Sequence, residues 1–249
     1  MATLGNGVYA GGYFTSADGS SGVNAIAKWD GFSWSRMGTG MQGTVQNAVY
    51  GLAASGTNLF ASGFFLSAGG VGTGPLARWN GSSWSALPAL TTTNGYHPAV
   101  YALAATGSEL YAGGEFIRAG GVVANRIAKW DGTGWSGLGS GMDTNVRAIA
   151  LSGSDLYAGG EFTNAGGKAA AYIAHAYLPP ALSIRRSGLG VTVSWPSPGN
   201  AGLVLEQAES TEPGANWVAR SGDVADDNTN RSVTIPTTNS VQFFRLRRP

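Results

Sequence analysis

Glu115 and Glu161 each close the string LYAGGE, which occurs twice in the chain without a changed letter. Two carboxylates across one bond are how a glycosidase divides acid work from base work. Here they occupy equivalent places on separate strands, so hydrogen bonding at strand edges is the simpler expectation and catalysis the alternative. The histidines are His97 and His175. His175 fills a slot held elsewhere by Lys28, Arg78 and Lys129, which makes it a substituted strand residue. His97 sits in the loop NGYHPAV beside Tyr96 and is the better candidate for a contact, but it has no second histidine nearby for zinc or for a base pair. GTGMQG at 38–43 has the letters of a dinucleotide loop, yet that loop must join a strand to a helix, and this one joins two strands. DVADDN at 223–228 lacks the alternating ligand spacing of a calcium loop. Asn80 and Asn230 head N-x-S sequons, which matter only in a eukaryotic secretory route. The expectation is therefore no catalytic set, no metal and no cofactor.

The elements that hold these residues come from a repeat. LYAGGEF at 110–116 and 156–162 has near copies in VYAGGYF at 8–14 and LFASGFF at 59–65. After each comes a glycine-rich link, then AIAKWDG, PLARWNG, RIAKWDG or the degraded YIAHAY. Trp34, Trp84 and Trp135 follow the first three of these. Tyr9 to Phe60 is 51 residues, Phe60 to Tyr111 is 51 and Tyr111 to Tyr157 is 46. Each unit reads as four short strands, A to D. In one copy these are 49–55, 59–65, 76–79 and 84–87, with tight turns between A and B and between C and D. Asp-Gly and Asn-Gly at the C–D turn supply the positive φ such turns need. Alternation along strand A gives two apolar faces, Val49, Gly51 and Ala53 against Tyr50, Leu52 and Ala54, as in a strand enclosed between sheets. Gly113, Gly114, Gly159 and Gly160 then mark close backbone approach. The pairs Trp29 with Trp34, Trp79 with Trp84 and Trp130 with Trp135 are expected to face each other across hairpins, as structural aromatics; a ligand platform is the alternative.

Composition agrees with an all-β chain. In 249 residues there are 40 glycines, 43% hydrophobic residues and only 12% charged ones. A net charge of +1 gives no electrostatic case for nucleic acid or an anionic membrane. With no cysteine, disulfides and thiolate metal sites are excluded. No apolar run approaches the roughly 20 residues of a membrane span. MATLGNGVYAGG has neither a charged nor an apolar leader region, so no signal peptide is expected in this chain.

The double glycine ending the second strand, the aromatic ending the third and the tryptophan opening the fourth resemble the kelch repeat. The fuller string LYAGGEFTNAGG followed by IA-x-WDG-x-x-W is still more similar to kelch-type repeats of secreted or surface bacterial proteins and of fungal cortical landmark proteins. The resemblance covers residues 1–177. It implies a β-propeller of about four four-stranded blades, the first short of strand A and the last short of strand D. It implies nothing about ligand, because propellers host unrelated functions.

LPPALSIRR at 178–186 breaks the pattern, and 178–181 reads as a stiff linker. Beyond it, six strand-like runs over 182–249 are expected to form a small β-sandwich with Trp195, Leu205, Trp217, Ile235 and Phe243 in its core. Their order resembles the fibronectin-type-III-like terminal modules of secreted bacterial proteins, which implies an accessory role.

In an up-and-down blade the B–C and D–A links share one face, and here they are the long ones. Function concentrates on variable loops carried by a rigid scaffold. Tyr96, His97, Arg118, Asp143 and Asn164 on that face are the candidate binding residues. The expected function is a non-catalytic recognition or scaffold module outside the cell or on its surface, binding a protein or a glycan. A self-assembling structural protein, a homo-oligomer or filament joined through open blade edges, is the second reading. A glycan-active enzyme is the third.

Overall fold

The structure is a computed structural model. It describes residues 1–44, 46–93, 95–107, 109–178, 180, 182–187, 190–197, 202–220, 224–236 and 241–247. Every regular element among them is a β-strand. The chain divides into two compact units, Met1–Leu151 with Tyr157–His175, and Ser152–Leu156 with Ala176–Pro249.

The first unit is built on one sheet order, A-B-C-D, with all neighbours antiparallel. The first repeat supplies Ala2–Leu4, Gly7–Gly11, Ile26–Trp29 and Trp34–Arg36. The second supplies Ala48–Ser55, Asn58–Phe64, Leu76–Trp79 and Trp84–Ala86, and the third Ala99–Thr106, Glu109–Glu115, Ile127–Trp130 and Trp135–Gly137. A fourth sheet has three strands, Val146–Ser152, Asp155–Gly160 and Ile173–Tyr177. At the C–D turn the side-chain oxygen of Asp30, Asn80 or Asp131 accepts two backbone N–H groups from residues two and three further on. The glycine that follows, Gly31, Gly81 or Gly132, has φ between 101° and 107°. The turn is thus closed by the residue types that tolerate it.

The apolar core lies between successive sheets. One cluster joins Tyr9 and Ile26 of the first repeat to Val49, Leu59 and Trp84 of the second; another joins Phe60 and Leu76 to Val100, Leu110 and Trp135. No single sheet buries its face alone, which is the logic of a repeat array. The tryptophan pairs stand at Cα partners across each C–D hairpin, with ring centroids 5.3–5.5 Å apart and tilted by 49–57°. The second member of each later pair also reaches back one repeat. Trp84 donates its indole N–H to the carbonyl of Met37 and Trp135 to that of Pro88, both at 3.1 Å.

The long links contain structure that strand periodicity did not show. Each B–C link folds into a small hairpin such as Ser67–Ala68 with Val71–Gly72, or Arg118–Ala119 with Val122–Val123. Gly-Gly at 69–70, 120–121 and 166–167 turns these hairpins, with φ of 55–60° and then 78–87°, the pattern of a type I′ turn. The preceding D–A link adds a strand, so that Met41–Gln42 pairs with Ser67–Ala68, and Leu90–Thr91 with Arg118–Ala119. Met142 bridges Ala165 in the same way. GTGMQG is part of this link and lies between strands, with no helix after it.

The second unit has a four-stranded sheet of Ser183–Ser187, Gly190–Pro196, Asn230–Pro236 and Ala225–Asp226, and a three-stranded sheet of Val218–Ala219, Val204–Ala208 and Phe243–Arg247. Val193, Trp195, Leu203, Leu205, Val233 and Ile235 form its core. Two expected core residues are elsewhere. Phe243 is 37% exposed, while Phe244 and Leu246 pack inward; a strand buries one phase only, and a shift of one residue exchanges the faces. Trp217 lies under the Arg245 guanidinium, 4.1 Å from its ring centroid. Of the 178–181 segment, residues 179 and 181 lie outside the described residues.

Candidate functional site

The double glycine of the tetrad has a local consequence at the link end of strand A. A Cβ on Gly63, Gly114 or Gly160 would lie 2.0–2.1 Å from the carbonyl oxygen of Ala48, Ala99 or Asn145. Only glycine admits that approach. Beside it the A–B ladder slips: Val49 pairs with Gly63 and Gly51 with Ser62, and likewise Val100 pairs with Gly114 and Ala102 with Gly113. Tyr50 and Tyr101 are the extra residues of these bulges. A bulge re-aims a side chain, and Tyr50 is 52% exposed, not enclosed as unbroken alternation had it.

Position by position, Tyr50, Tyr101 and Arg147 are equivalent in successive repeats, as are Tyr13, Phe64, Glu115 and Glu161. Together they make one row that crosses the repeats. The rings of Tyr50 and Tyr101 are 5.9 Å apart, and the Arg147 guanidinium lies 4.0 Å from the Tyr101 ring centroid. Arg147 donates from Nε and Nη2 to Glu161 Oε1 at 2.9 and 2.6 Å, and Asn145 donates to Glu161 Oε2 at 3.1 Å. The Tyr101 hydroxyl donates to Glu115 Oε2 at 3.2 Å. At the first-repeat end the Val49 N–H donates to the Gly12 carbonyl at 3.1 Å. Next to it opens a cleft of about 290 Å³ lined by Tyr13, Phe14, Asn24 and Asn47. Tyr13 is 71% and Phe64 37% exposed.

The electrostatics follow these contacts. Hydrogen bonds from Arg147 first, then its charge, hold the Glu161 carboxyl below the usual range, while the Glu161 contact raises the Arg147 guanidinium. Burial above all pushes the Tyr101 phenol up. A carboxylate held ionised in this way is a poor proton donor near neutral pH.

The five loop candidates fall into two groups. Asp143 and Asn164 are brought together: Asp143 Oδ1 accepts the N–H of Thr163 at 3.0 Å and of Asn164 at 3.1 Å, and Oδ2 accepts the Thr163 hydroxyl at 2.8 Å. Those bonds lower the Asp143 carboxyl, the Thr163 hydroxyl most. Asp143 ties a link to the next hairpin. Arg118 pairs with Thr91 in the link sheet and donates to the Gly121 carbonyl at 2.9 Å. Tyr96 and His97 are exposed on the same link; Tyr96 accepts the Thr92 hydroxyl through its carbonyl, and His97 edges a cleft of about 330 Å³ with Thr73, Leu87 and Leu90. His175 stacks on Tyr157, ring centroids 5.0 Å apart.

Of the glycines singled out in the sequence, a Cβ on Gly113 would meet Val146 Cγ1 at 2.5 Å, whereas one on Gly159 would meet nothing nearer than 3.8 Å. Ser62 stands where Gly11 and Gly113 stand in neighbouring repeats, and its buried hydroxyl has no partner among the described residues. Among the described residues no three His, Asp or Glu side chains gather to hold a metal ion. Of the DVADDN acids, Asp223 lies outside the described residues, Asp226 accepts from Ser197 and Arg231, and Asp227 accepts two backbone N–H groups. Tyr50, Tyr101 and Arg147 were missed in the sequence. Their signal was an aromatic or arginine at one fixed place after Ala-Val or Asn-Val, opposite a glycine. No protein-family model matches the chain, and no curated protein matches it.

Proposed function

We propose that the chain is a non-catalytic recognition module of the cell surface or the extracellular space, its repeats the blades of a kelch-like β-propeller and its second unit a fibronectin-type-III-like sandwich. The sheet order recurring over the first unit and the cores shared between neighbours support the first architecture. Four and three antiparallel strands around one core support the second. The observation that carries the function is the row. The backbone bulges at both tyrosines, leaving Tyr50 52% exposed although it would gain from burial and Tyr101 half-buried between Tyr50 and Arg147, and exposed apolar groups on a rigid frame serve contact. The two glutamates support a binding role better than an acid–base one, since each already accepts a bond within the row. No helix among the described residues is long and apolar enough to cross a membrane.

The test is saturable binding of the full chain to a glycan array and to displayed peptides, weakened when Tyr50→Ala and Tyr101→Ala are combined. Turnover of ester, phosphate or glycoside substrates that disappears in Glu115→Gln or Glu161→Gln would overturn it in favour of an enzyme. Assembly is the second reading, favoured by Trp34, whose indole N–H has among the described residues none of the carbonyl partners that Trp84 and Trp135 have. The link of a second copy would supply one. Light scattering that shows association, lost in Trp34→Phe, would support it.

A further inference from the structure

The geometry points to an uncharged polysaccharide as the ligand of the Tyr13–Phe64–Tyr50–Tyr101–Arg147 row, an assignment that rests on the recognition reading above. The chemistry of the row is of two kinds, aromatic in the first two repeats and polar in the later ones. Tyr13, Phe64 and Tyr50 are exposed aromatic side chains. Glu115, Glu161, Asn145 and Arg147 offer planar polar groups, fixed by their mutual bonds and by Tyr101. A pyranose has the matching pair of surfaces, an apolar C–H face and a rim of hydroxyls. Glu115 uses Oε2 toward Tyr101, which leaves Oε1 for a hydroxyl donor. Because the polar groups are already held, little side-chain freedom is lost on binding.

Direction and charge separate this ligand from others. The row passes from repeat to repeat, with ring spacing of 5.9 Å between Tyr50 and Tyr101. An added peptide strand makes its hydrogen bonds along one strand, so it could follow one repeat but not the row. Arg147 is spent on Glu161, and Glu115 is the carboxylate left over. The row therefore has no cationic surplus for an anionic polymer. Tyr13 and its adjoining cleft, bounded by Asn24 and Asn47, extend the surface by one more sugar-sized step.

The experiment is affinity electrophoresis of the full chain in native gels that contain hydroxyethylcellulose, xyloglucan, mixed-linkage β-glucan, glucomannan or dextran, with polygalacturonate as the anionic control. The expected result is retardation by at least one neutral polymer and none by polygalacturonate. Tyr50→Ala and Tyr101→Ala should each weaken it roughly three- to tenfold, the worth of one aromatic contact. Phe32→Ala, at a hairpin tip outside the row, should leave it unchanged. Tyr101→Phe keeps the ring and should retain most of the binding, which covers the case in which Tyr101→Ala fails to fold. Absence of retardation by every neutral polymer, or retardation indifferent to both tyrosines, overturns the assignment. Displayed peptides that bind through Tyr101 would then keep the recognition reading, and their absence as well would end both.

Discussion

The tight-turn end and the link end of the repeats solve opposite problems. At the tight-turn end three repeats use one arrangement: Asp or Asn, then Gly, two N–H groups on one oxygen, and two facing tryptophans. At the link end the backbone is held as strictly, by glycine against carbonyl, but the side chains it presents change from Tyr50 to Tyr101 to Arg147. Sameness at one end fixes the sheet. Variety at the other sits on a backbone that does not vary, which is how a scaffold carries a changeable surface.

The hardest blow to the constant end is Trp135→Ala. It removes a buried indole, its ring contact with Trp130 and the hydrogen bond to Pro88, and should destabilise by about 3–5 kcal/mol. Trp34→Ala should cost clearly less, because Trp34 is half-buried and has no such bond among the described residues. Equal losses in urea melts would mean that the bond back to the preceding repeat contributes nothing.

The link end is tested by two glycines of adjacent number. Gly160→Ala drives a methyl against the Asn145 carbonyl and should destabilise by about 1–3 kcal/mol. Gly159→Ala meets only ordinary van der Waals contact, the Tyr172 carbonyl oxygen at 3.8 Å, and should stabilise by roughly 0.4–1 kcal/mol through the unfolded chain. If both behave alike, the close approach at Gly160 is not what shapes the strand. Ser62→Ala is an effect of similar size: deleting a buried hydroxyl that has no partner among the described residues should stabilise by about 1 kcal/mol. A loss there would reveal a partner for the hydroxyl.

How much of this was legible in the sequence depended on how local its cause is. The C–D hairpins were readable because Asp30-Gly31 and Asn80-Gly81 carry their turn chemistry within two residues. The link hairpins were readable in principle from Gly69-Gly70 and Gly120-Gly121, whose paired positive φ is the same signal. The exposure of Tyr50 was not, since counting by twos assumes an unbroken ladder, and the break depends on Gly63 in another strand. Phe243 and Phe244 show the same limit: adjacent identical residues give no phase, and only the partner sheet decides which faces the core. The row was hidden for a further reason, because its members come from strands of different repeats.

The smallest predicted effect is at the constant end and depends on pH. Asp131 accepts the N–H groups of Gly134 and Thr133, which pull its carboxyl down to about 2. Asn80 occupies the same turn with a neutral oxygen. N80D should raise the melting temperature slightly at neutral pH. A depressed carboxyl stabilises fully above its unfolded value of about 3.9 and loses that contribution as pH falls through the folded one. The gain should therefore fade between roughly pH 4 and pH 2; a gain that persists at pH 2 would mean the charge is not its source.

The bond from Trp84 to Met37, and from Trp135 to Pro88, has a consequence for ancestry. The donor is a side chain but the acceptor is main chain, and every residue carries a carbonyl. A duplicated segment placed after an existing one brings its own donor and requires no matched mutation in its predecessor. Copying alone is enough to extend such a molecule, and the residues that face solvent are then free to diverge.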